Sequence, residues 1–329
     1  MMVTILSWEK SGVASCWPAR SVFRQAKVLL RTSTAWSSRL LSNTTNESRT
    51  AVSFGRRRDI IMISPNKPLA LSEGQVDVWV AVSDRVARYK NDSLFEAMLG
   101  PRELEQYRSL QYPETRFDYL LSRALLRTVL AGYLDCDPGS LEFDRSEFGK
   151  PCLAGKSSPL CFNISLTEGL VLCAVSVGAR VGADVEFHGH ERSMLDVADQ
   201  YFSALEIAEL KRLPAARQRQ GFFRYWTLKE SLIKARGEGL SVPLDSFSFR
   251  TSGGAAKLVS YPEGFIEPDE AWDFRCFDFG EDYSAAVSLA APIKSLRLME
   301  SIPLVASVAI EEPQMLCSHA RQDALSAAF

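Results

Sequence analysis

Alternating and helical patterns of hydrophobic residues begin near Val76. Residues 76–82 alternate in the two-residue period of a β-strand, whereas the apolar residues of 114–133 recur at the 3.6-residue spacing of an α-helix. Shorter segments follow the same two rules. They predict helices over 93–99 and 103–110, a turn over 148–151, and strands near 161–165 and 170–177. The first half of this patterned region is therefore predicted to mix helices and strands.

From Val181 the same kinds of element begin again. The patterns predict strands over 181–187, 247–250, 271–278 and 283–289 and helices over 194–203, 205–212 and 217–236. Residues 122–127 are also similar to 229–234, and residues 173–176 are similar to 285–288. We therefore expect an α+β fold of two similar halves, residues 62–178 and 179–292, related by a pseudo-twofold axis with the ligand site at their interface. Residues 293–329 show no clear pattern and are left unassigned.

The first 61 residues differ from the rest of the chain because they are rich in arginine and serine and poor in acidic residues. A segment of this composition does not bury enough apolar surface to fold by itself. It is compatible with an organelle transit peptide, with a disordered extension, or with translated upstream sequence before a working start at Met62. We expect a disordered or non-native extension, which combines the last two interpretations.

Composition narrows the class of protein. The 329 residues are 46% hydrophobic and 24% charged with a net charge of -2, so we expect a globular chain without general affinity for nucleic acid. No stretch approaches the roughly 20 consecutive apolar residues that a membrane-spanning helix needs. Seven scattered cysteines without a C-x-x-C pair are typical of reduced thiols in a cytoplasmic protein, and three histidines do not suffice for a histidine-rich metal site.

Two acidic residues form the first candidate for chemistry. Asp184 and Glu186 are two positions apart on a predicted strand, so their side chains lie on the same face and close together. Two like charges at that distance require a cation, a shared proton or full solvation. An exposed strand with two solvated acids is the alternative, and the pair alone does not exclude it.

A second candidate lies on the second long predicted helix. Glu230 and Lys234 are four positions apart and share one face, whereas Lys229 points about 100° away from Glu230. A surface pair of glutamate and lysine would have the same pattern. Together with Asp184 and Glu186, however, Glu230 completes an all-oxygen set that suits a hard cation such as Mg²⁺.

Basic and polar residues of the first half form a third group. Lys150 lies between Gly149, which permits a tight turn, and Pro151, which stiffens it. Asn163 and Ser165 follow on a predicted strand. A surface turn explains the Gly-Lys-Pro sequence equally well. The sequence contains neither a P-loop nor a Rossmann glycine motif, so neither kind of nucleotide site is supported.

Four motifs occur in order along the chain: Phe148-Gly-Lys-Pro151, Phe162-Asn-Ile-Ser165, Val181-Gly-Ala-Asp-Val-Glu186 and Trp226-Thr-Leu-Lys-Glu-Ser-Leu-Ile-Lys234. In this combination the chain resembles the Sfp-type 4'-phosphopantetheinyl transferases from about residue 76 to residue 290. The resemblance implies a pseudo-dimeric α+β fold that binds coenzyme A between its halves. It also implies transfer of the 4'-phosphopantetheine arm to a serine of an acyl or peptidyl carrier protein, with release of adenosine 3',5'-bisphosphate.

The resemblance further implies roles for individual residues. Asp184, Glu186 and Glu230 would bind Mg²⁺ at the pyrophosphate of coenzyme A. Glu230 and Lys234 would be catalytic, with Glu230 either a base or a metal ligand alone. The residues implied in coenzyme A binding are Arg116, Arg123, Lys150, Pro151, Asn163, Ser165, Lys229 and Lys234. A monomer is expected, because one chain contains both halves.

Leu166 departs from the family motif, which places a histidine that contacts the coenzyme A phosphates directly after Asn-Ile-Ser. Leucine can neither donate a hydrogen bond nor carry a charge. The alternative hypothesis is therefore a weak or inactive homologue that binds coenzyme A or a carrier protein without transfer. A two-metal phosphoesterase is a further alternative, but the sequence offers too few histidine and aspartate ligands for one.

Overall fold

The computed structural model describes residues 69–310, except for residues 90, 156–157, 190–193, 240–241, 252–255 and 305. The predicted extension of residues 1–61 lies outside the described residues, as does the end of the unassigned tail from residue 311. Helices and strands are interspersed along the described chain, which confirms the expected α+β class. No helix in this part of the chain is long and apolar enough to cross a bilayer.

The first predicted half begins with a strand, continues through helices and ends with strands. Its elements are β1 (Gln75–Val82), α1 (Ser83–Ala87), α2 (Asp92–Met98), α3 (Pro101–Ser109), α4 (Pro113–Leu134), a 3-10 turn (Pro138–Ser140), β2 (Phe143–Arg145), β3 (Pro151–Leu153), β4 (Leu160–Thr167) and β5 (Leu170–Val177). Helix α4 begins at a proline, whose fixed φ suits the first helical position. It ends before Asp135, which has a left-handed φ of 51°.

The second predicted half has a similar order of elements. They are β6 (Val181–Phe187), α5 (Met194–Tyr201), α6 (Ala204–Arg212), α7 (Ala215–Arg236), a 3-10 turn (Leu244–Ser246), β7 (Ser248–Arg250), β8 (Lys257–Ser260), β9 (Asp273–Phe279) and β10 (Tyr283–Leu289). Helix α7 ends at Gly237, whose φ of 76° lies in the region that favours glycine. The sequence patterns do not predict α1, β3 or β8, which are too short to show a period.

The tail left unassigned from the sequence contributes two strands to the first half. Strand β11 (Ser295–Ile302) runs parallel to β1, and β12 (Ala306–Ile310) pairs with β11 in the antiparallel direction. Buried and exposed positions do not alternate along β11, because Leu298 and Met299 are both buried. The two-residue period that reveals a half-buried strand is therefore missing.

Two sheets face each other between the two long helices. The first sheet has the order β12-β11-β1-β5-β4, and the second has the order β6-β10-β9. On β1, Val78 belongs to the hydrophobic cluster between the sheets, and Trp79 belongs to the cluster that includes α4. On β10, Val287 faces the first sheet, and Ala286 belongs to the cluster that includes α7. The layers are therefore helix, sheet, sheet and helix.

Helix α7 lies against β6 with almost no space between the two backbones. A Cβ atom at position 182 would lie 2.0 Å from the Ser231 carbonyl oxygen and 2.3 Å from the Ala235 nitrogen. The next strand joins the same contact, because the hydroxyl oxygens of Ser231 and Ser288 are 2.7 Å apart. Gly182 is therefore required for the close approach of the helix to the strand.

Gly182→Ala is expected to lower the free energy of unfolding by about 3 kcal/mol or more, because the new methyl group meets backbone atoms that cannot rotate away. Urea unfolding followed by circular dichroism measures the change. Gly132→Ala in α4 is the matched control. Its Cβ would meet only the flexible end of Leu69, at 3.0 Å, so it is expected to be neutral or stabilising by up to about 1 kcal/mol. Equal stability of Gly182→Ala and the wild type would contradict the close contact.

Candidate active site

Asp184 and Glu186 lie on the face of β6 that is turned toward α7. Val181, Ala183 and Val185 belong to the cluster between the sheets, so the residues between them face the opposite side of the strand. Both carboxyl groups are buried, with exposed fractions of 0% for Asp184 and 1% for Glu186. The solvated strand face that the sequence allowed as an alternative is therefore not what the structure contains.

Helix α7 brings an acid and an ammonium group to the same place. Glu230 is buried, and Lys234 Nζ donates a hydrogen bond of 2.6 Å to Asp184 Oδ1. The same ammonium group donates to Ser165 Oγ at 3.1 Å, and this hydroxyl donates to Asp184 Oδ1 at 2.9 Å. Lys234 thus pairs with an aspartate on the neighbouring strand. Asp184, Glu186 and Glu230 are called the acidic cluster below.

Burial disfavours the charged form of these acids. Burial first, and then the nearby charge of Asp184, raise the pKa of Glu230 to about 7. Burial also raises the pKa of Glu186 to about 7, with Asp184 as an additional cause. Lys234 acts in the opposite direction on both pKa values, because a positive charge favours an ionised carboxylate. The acidic cluster therefore carries unfavourable negative charge at neutral pH that a bound cation would offset.

The donor atoms of the acidic cluster fit a hard cation. Asp184 Oδ2 and Glu230 Oε1 are buried and have no hydrogen-bond partner among the described residues. Buried oxygens in this state cost free energy unless a partner binds them. In the described part of the chain, no three His, Cys, Asp or Glu side chains come close enough to hold a metal ion alone. A cation bound here would need further ligands, and a hard ion such as Mg²⁺ commonly combines one or two carboxylates with water and substrate phosphate.

Asn163 and Ser165, both predicted to bind coenzyme A, contact the backbone of β6. Asn163 Oδ1 accepts a hydrogen bond of 2.9 Å from the Ala183 nitrogen, and Ser165 Oγ accepts one of 3.4 Å from the Val185 nitrogen. Both side chains are buried. Ser165 also reaches the acidic cluster, as described above, whereas Asn163 bonds the backbone of the strand.

Thr167 belongs to the same set and is missed by the sequence analysis. Its Oγ1 accepts a hydrogen bond of 3.1 Å from the Phe187 nitrogen. Thr167 lies two residues after Ser165, and therefore on the same face of β4. The signal that could have revealed it is the polar residue at every second position, Asn163, Ser165 and Thr167, in an otherwise apolar strand.

Lys150 lies in the turn between β2 and β3, where Gly149 has a φ of 82° as the predicted tight turn requires. Its Nζ donates to the Lys234 carbonyl oxygen at 2.7 Å and to the Val181 carbonyl oxygen at 3.2 Å. Burial lowers the pKa of Lys150 to about 8. The ammonium group therefore joins the end of α7 to the beginning of β6. Pro151 begins β3 directly after it.

Lys229 points away from the acidic cluster and is completely buried. Its Nζ lies 2.8 Å from Glu206 Oε2 and donates to the carbonyl oxygens of Leu244 and Phe247, both at 2.6 Å. An ammonium group has three N–H donors, and here each has an acceptor. Contact between Lys229 and a phosphate would require one of these bonds to break.

Arg116 and Arg123 lie on α4, which packs against the outer face of the first sheet. Their guanidinium groups lie over the rings of Tyr107, at 5.1 Å, and Tyr119, at 5.4 Å. These contacts do not bring either arginine into the acidic cluster. Of the residues predicted for the site, the structure thus gathers Asp184, Glu186, Glu230, Lys234 and Ser165.

Leu166 occupies the position at which the family motif has histidine. Its side chain is buried in the cluster that includes α4. Because side chains alternate along a strand, Leu166 faces the side of β4 opposite to Ser165 and Thr167. The substitution therefore leaves the contacts of Ser165 with the acidic cluster unchanged.

Comparison with known proteins places the acidic cluster in a matched region. The family model described as the 4'-phosphopantetheinyl transferase superfamily matches residues 180–288, which include β6, α7 and β10. The 4'-phosphopantetheinyl transferase HetI of Nostoc sp. is 34% identical over 201 residues, which are 60% of this chain and 84% of that protein. A 4'-phosphopantetheinyl transferase of Bacillus subtilis is 31% identical over 209 residues, 64% of this chain and 90% of that protein. The transferase Sfp of Bacillus subtilis strain 168 is 29% identical over the same shares.

Glu230→Gln is expected to stabilise the metal-free protein at pH 8. The pKa of Glu230 is about 7 in the folded protein and 4.5 in the unfolded chain, so between these pH values the folded protein binds more protons. The free energy of unfolding therefore falls as the pH rises from about 4.5 to 7. The variant should exceed the wild type by about 1 kcal/mol or more at pH 8, with a smaller difference at pH 5.5. Urea unfolding in EDTA at both pH values measures this. An unchanged difference between the two pH values would contradict the raised pKa.

Lys229→Met is expected to cost about 3 to 5 kcal/mol of folding free energy or to prevent folding, because it leaves Glu206 buried without its ammonium partner. The matched control is Lys211→Met. Lys211 pairs with Asp199 on the surface, where both side chains are about half exposed, so a loss of at most about 1 kcal/mol is expected. Thermal unfolding compares the two variants, and similar losses would contradict a structural role for Lys229.

Proposed function

Because the chain belongs to the 4'-phosphopantetheinyl transferase family, we propose that it transfers the 4'-phosphopantetheine arm of coenzyme A to a serine of an acyl or peptidyl carrier protein. Transferase activity of this kind is what the names of its relatives state. The observation that carries the proposal for the site is the buried acidic cluster beside Lys234, within the region that the family model matches.

The proposed reaction exchanges a phosphoanhydride bond for a phosphate ester bond. The serine oxygen forms a bond to the β-phosphorus of coenzyme A, and the bond from that phosphorus to the oxygen bridging it to the α-phosphate breaks. The bond electrons leave with adenosine 3',5'-bisphosphate, and the serine proton passes to a base. Such transfers depend mainly on the position of the reacting groups and on neutralisation of charge.

Asp184, Glu186 and Glu230 are proposed to hold Mg²⁺ together with the pyrophosphate of coenzyme A. The open oxygens Asp184 Oδ2 and Glu230 Oε1 support this assignment. When bound, Mg²⁺ supplies charge neutralisation and orientation of the pyrophosphate. A bound ion would also offset the negative charge of the buried acids at neutral pH.

Lys234 and Glu230 are proposed as the catalytic residues. Lys234 uses two N–H groups for Asp184 and Ser165, and among the described residues no acceptor is recorded for the third. That donor is available to a phosphate oxygen, where a positive charge would stabilise the leaving group. Glu230 is proposed as the base that accepts the serine proton. A role for Glu230 as metal ligand alone is the alternative.

The remaining predicted residues divide into two groups. We propose that Lys150, held in its turn by Pro151, contacts the phosphates of coenzyme A, and that Arg116 and Arg123 lie at its adenosine 3'-phosphate end. Lys229 and Asn163 are proposed to support the site, since their contacts are with Glu206 and with the β6 backbone. Ser165 belongs to both groups, because its hydroxyl bonds both β6 and the acidic cluster.

We also propose that the two halves are related by a pseudo-twofold axis. Helices α4 and α7 both contain 22 residues, and each has a buried cation seven residues before its last residue, Arg127 in α4 and Lys229 in α7. Arg127 Nη2 lies 2.6 Å from Glu103 Oε2, as Lys229 lies 2.8 Å from Glu206 Oε2. Each glutamate is the third residue of the preceding helix and bonds back to its N-cap.

The surroundings of the two cations also agree. Arg127 donates to two carbonyl oxygens after its helix, those of Pro138 and Leu141, as Lys229 does to those of Leu244 and Phe247. Each cation also lies over a phenylalanine ring, Phe143 for Arg127 and Phe247 for Lys229. These parallels support the duplicated architecture.

The register of this repeat differs from the one predicted from sequence. Counting from the helix ends pairs Arg127 with Lys229, whereas the similarity of residues 122–127 to 229–234 pairs Arg127 with Lys234. The strand alignment is also displaced, because Ala174 faces the other sheet and its predicted counterpart Ala286 faces α7. Short sequence similarities here follow amino-acid type rather than position in the fold.

A single chain in the cytoplasm is the proposed working unit. Ser165 comes from the first half and Asp184 and Lys234 come from the second, so one chain assembles the contacts of the site. Coenzyme A and an apo carrier protein of fatty-acid, polyketide or nonribosomal peptide synthesis are the proposed partners.

The transfer assay incubates the protein with coenzyme A, Mg²⁺ and an apo carrier protein. Mass spectrometry is expected to show a gain of one phosphopantetheine arm on the carrier. Asp184→Asn and Glu230→Gln should each reduce the rate by about 100-fold or more, because a metal ligand or base is lost while the fold is kept. Glu105→Gln, at an exposed position of α3, is the control with an unchanged rate. Binding of coenzyme A without transfer to any carrier would favour the inactive homologue.

A further inference from the structure

Strand β6, which carries two of the three acids, is an edge strand of the second sheet. Its one strand partner there is β10, in the antiparallel direction. In such a pair, the N–H groups of alternate residues point to the partner and the others point outward. The outward N–H groups of Ala183, Val185 and Phe187 donate hydrogen bonds. In each case the acceptor is a side chain of β4.

The acceptors form a regular series that we call the side-chain ladder, namely Asn163, Ser165 and Thr167. Their distances to the β6 nitrogens are 2.9, 3.4 and 3.1 Å, and all three side chains are at most 5% exposed. The sheet to which β4 belongs is the other sheet of the molecule. The ladder therefore joins the edges of the two sheets through side chains.

The ladder encloses the two strand acids. Asp184 lies between the N–H groups bound by Asn163 and Ser165, and Glu186 lies between those bound by Ser165 and Thr167. The third acid comes from α7, whose distance from β6 is set by the contact at Gly182. The relative position of the three acids thus depends on two constraints, the helix contact on one side and the ladder on the other.

Direct pairing of β4 with β6 would satisfy the same N–H groups, but it would bring the two backbones to about 4.8 Å. Side-chain acceptors keep β4 farther away and leave its hydroxyl groups between the strands. Ser165 uses this space to bond Asp184 and Lys234 as well as the β6 backbone. The ladder is thus connected to the site through its middle member.

We propose that Asn163 and Thr167 are positioning residues for the metal site, which act by holding the β6 backbone so that Asp184 and Glu186 face Glu230. This proposal rests on the proposed function. Neither residue touches the reacting groups in this assignment. The effect is that of an outer-shell partner that orients a metal ligand, here through the main chain.

The decisive pair of variants is Thr167→Val, which keeps the shape and removes the acceptor, and Thr167→Ser, which keeps the hydroxyl. The probe is Mn²⁺ titrated into the full-length protein with coenzyme A and followed by electron paramagnetic resonance. We expect the half-saturating Mn²⁺ concentration of Thr167→Val to rise about tenfold. Thr167→Ser should restore it to within about twofold of the wild type. In the transfer assay, Thr167→Val should lower kcat and leave the KM for the carrier protein unchanged.

The control for a general loss of stability is Ser307→Ala. It removes a buried hydroxyl pair, Ser307 Oγ to Ser301 Oγ at 3.1 Å, that joins β12 to β11 in the first sheet. Ser307→Ala should lower the melting temperature of the metal-free protein and leave Mn²⁺ affinity unchanged. If Thr167→Val weakens Mn²⁺ binding no more than this control does, the ladder is only structural and the proposal is overturned.

Asn163→Ala is the second variant, for use if Thr167→Val does not fold. It removes the acceptor at the other end of the ladder, and the same tenfold weakening of Mn²⁺ binding is expected. Failure of the proposed function has a different signature. In that case the wild type itself would bind no Mn²⁺ in the presence of coenzyme A, and the ladder proposal would fall with it.

Discussion

Helix α7 and strand β6 meet at Gly182 with their backbones in contact, and the geometry of the site depends on this constraint. The helix carries Glu230 and Lys234, and the strand carries Asp184 and Glu186. Because a side chain at position 182 would overlap the helix backbone, only glycine lets the two elements approach closely enough to bury these groups together. Lys150 reinforces the same junction, since it donates to carbonyl oxygens at the end of the helix and at the start of the strand.

Two lysines of α7 show how the same residue type serves stability or chemistry. Lys229 has three acceptors, including Glu206, so its charge is compensated within the fold. Lys234 faces an acidic cluster that contains more acids than its charge can balance, and oxygens of Asp184 and Glu230 have no partner among the residues that the structure describes. An arrangement of this kind lowers the stability of the metal-free protein and favours a bound cation. The cost to the fold and the proposed binding of Mg²⁺ therefore have one origin.

The sequence predicts those features that depend on local period. The long helices, the strands with clear alternation and the grouping of Asp184 with Glu186 all follow from spacing, and the structure has them. Partners of long side chains do not follow from spacing. The resemblance implies coenzyme A contacts for Lys150 and Lys229, but their acceptors within the protein come from segments distant in sequence, which spacing cannot reveal. Strand β11 was missed for a similar reason, since its burial depends on pairing with β1, more than 200 residues earlier.

Each half has a buried aspartate on its first strand, Asp77 on β1 and Asp184 on β6, and each lies on the face turned toward the long helix. The two aspartates differ in their partners, and this difference explains why the chemistry is proposed for only one half. Asp77 on β1 accepts hydrogen bonds from Tyr133 of α4, from Gln75 at 2.9 Å and from Arg297 Nε at 2.7 Å. Arg297 belongs to β11, so a residue near the end of the described chain neutralises the charge of this carboxylate. Asp184 has Lys234 and Ser165 on one oxygen, and the other oxygen has no partner within the described part of the chain. The open oxygen of Asp184, together with Glu186 and Glu230, could therefore coordinate an ion. Both oxygens of Asp77 already accept hydrogen bonds, so Asp77 could bind an ion only by breaking one of these contacts.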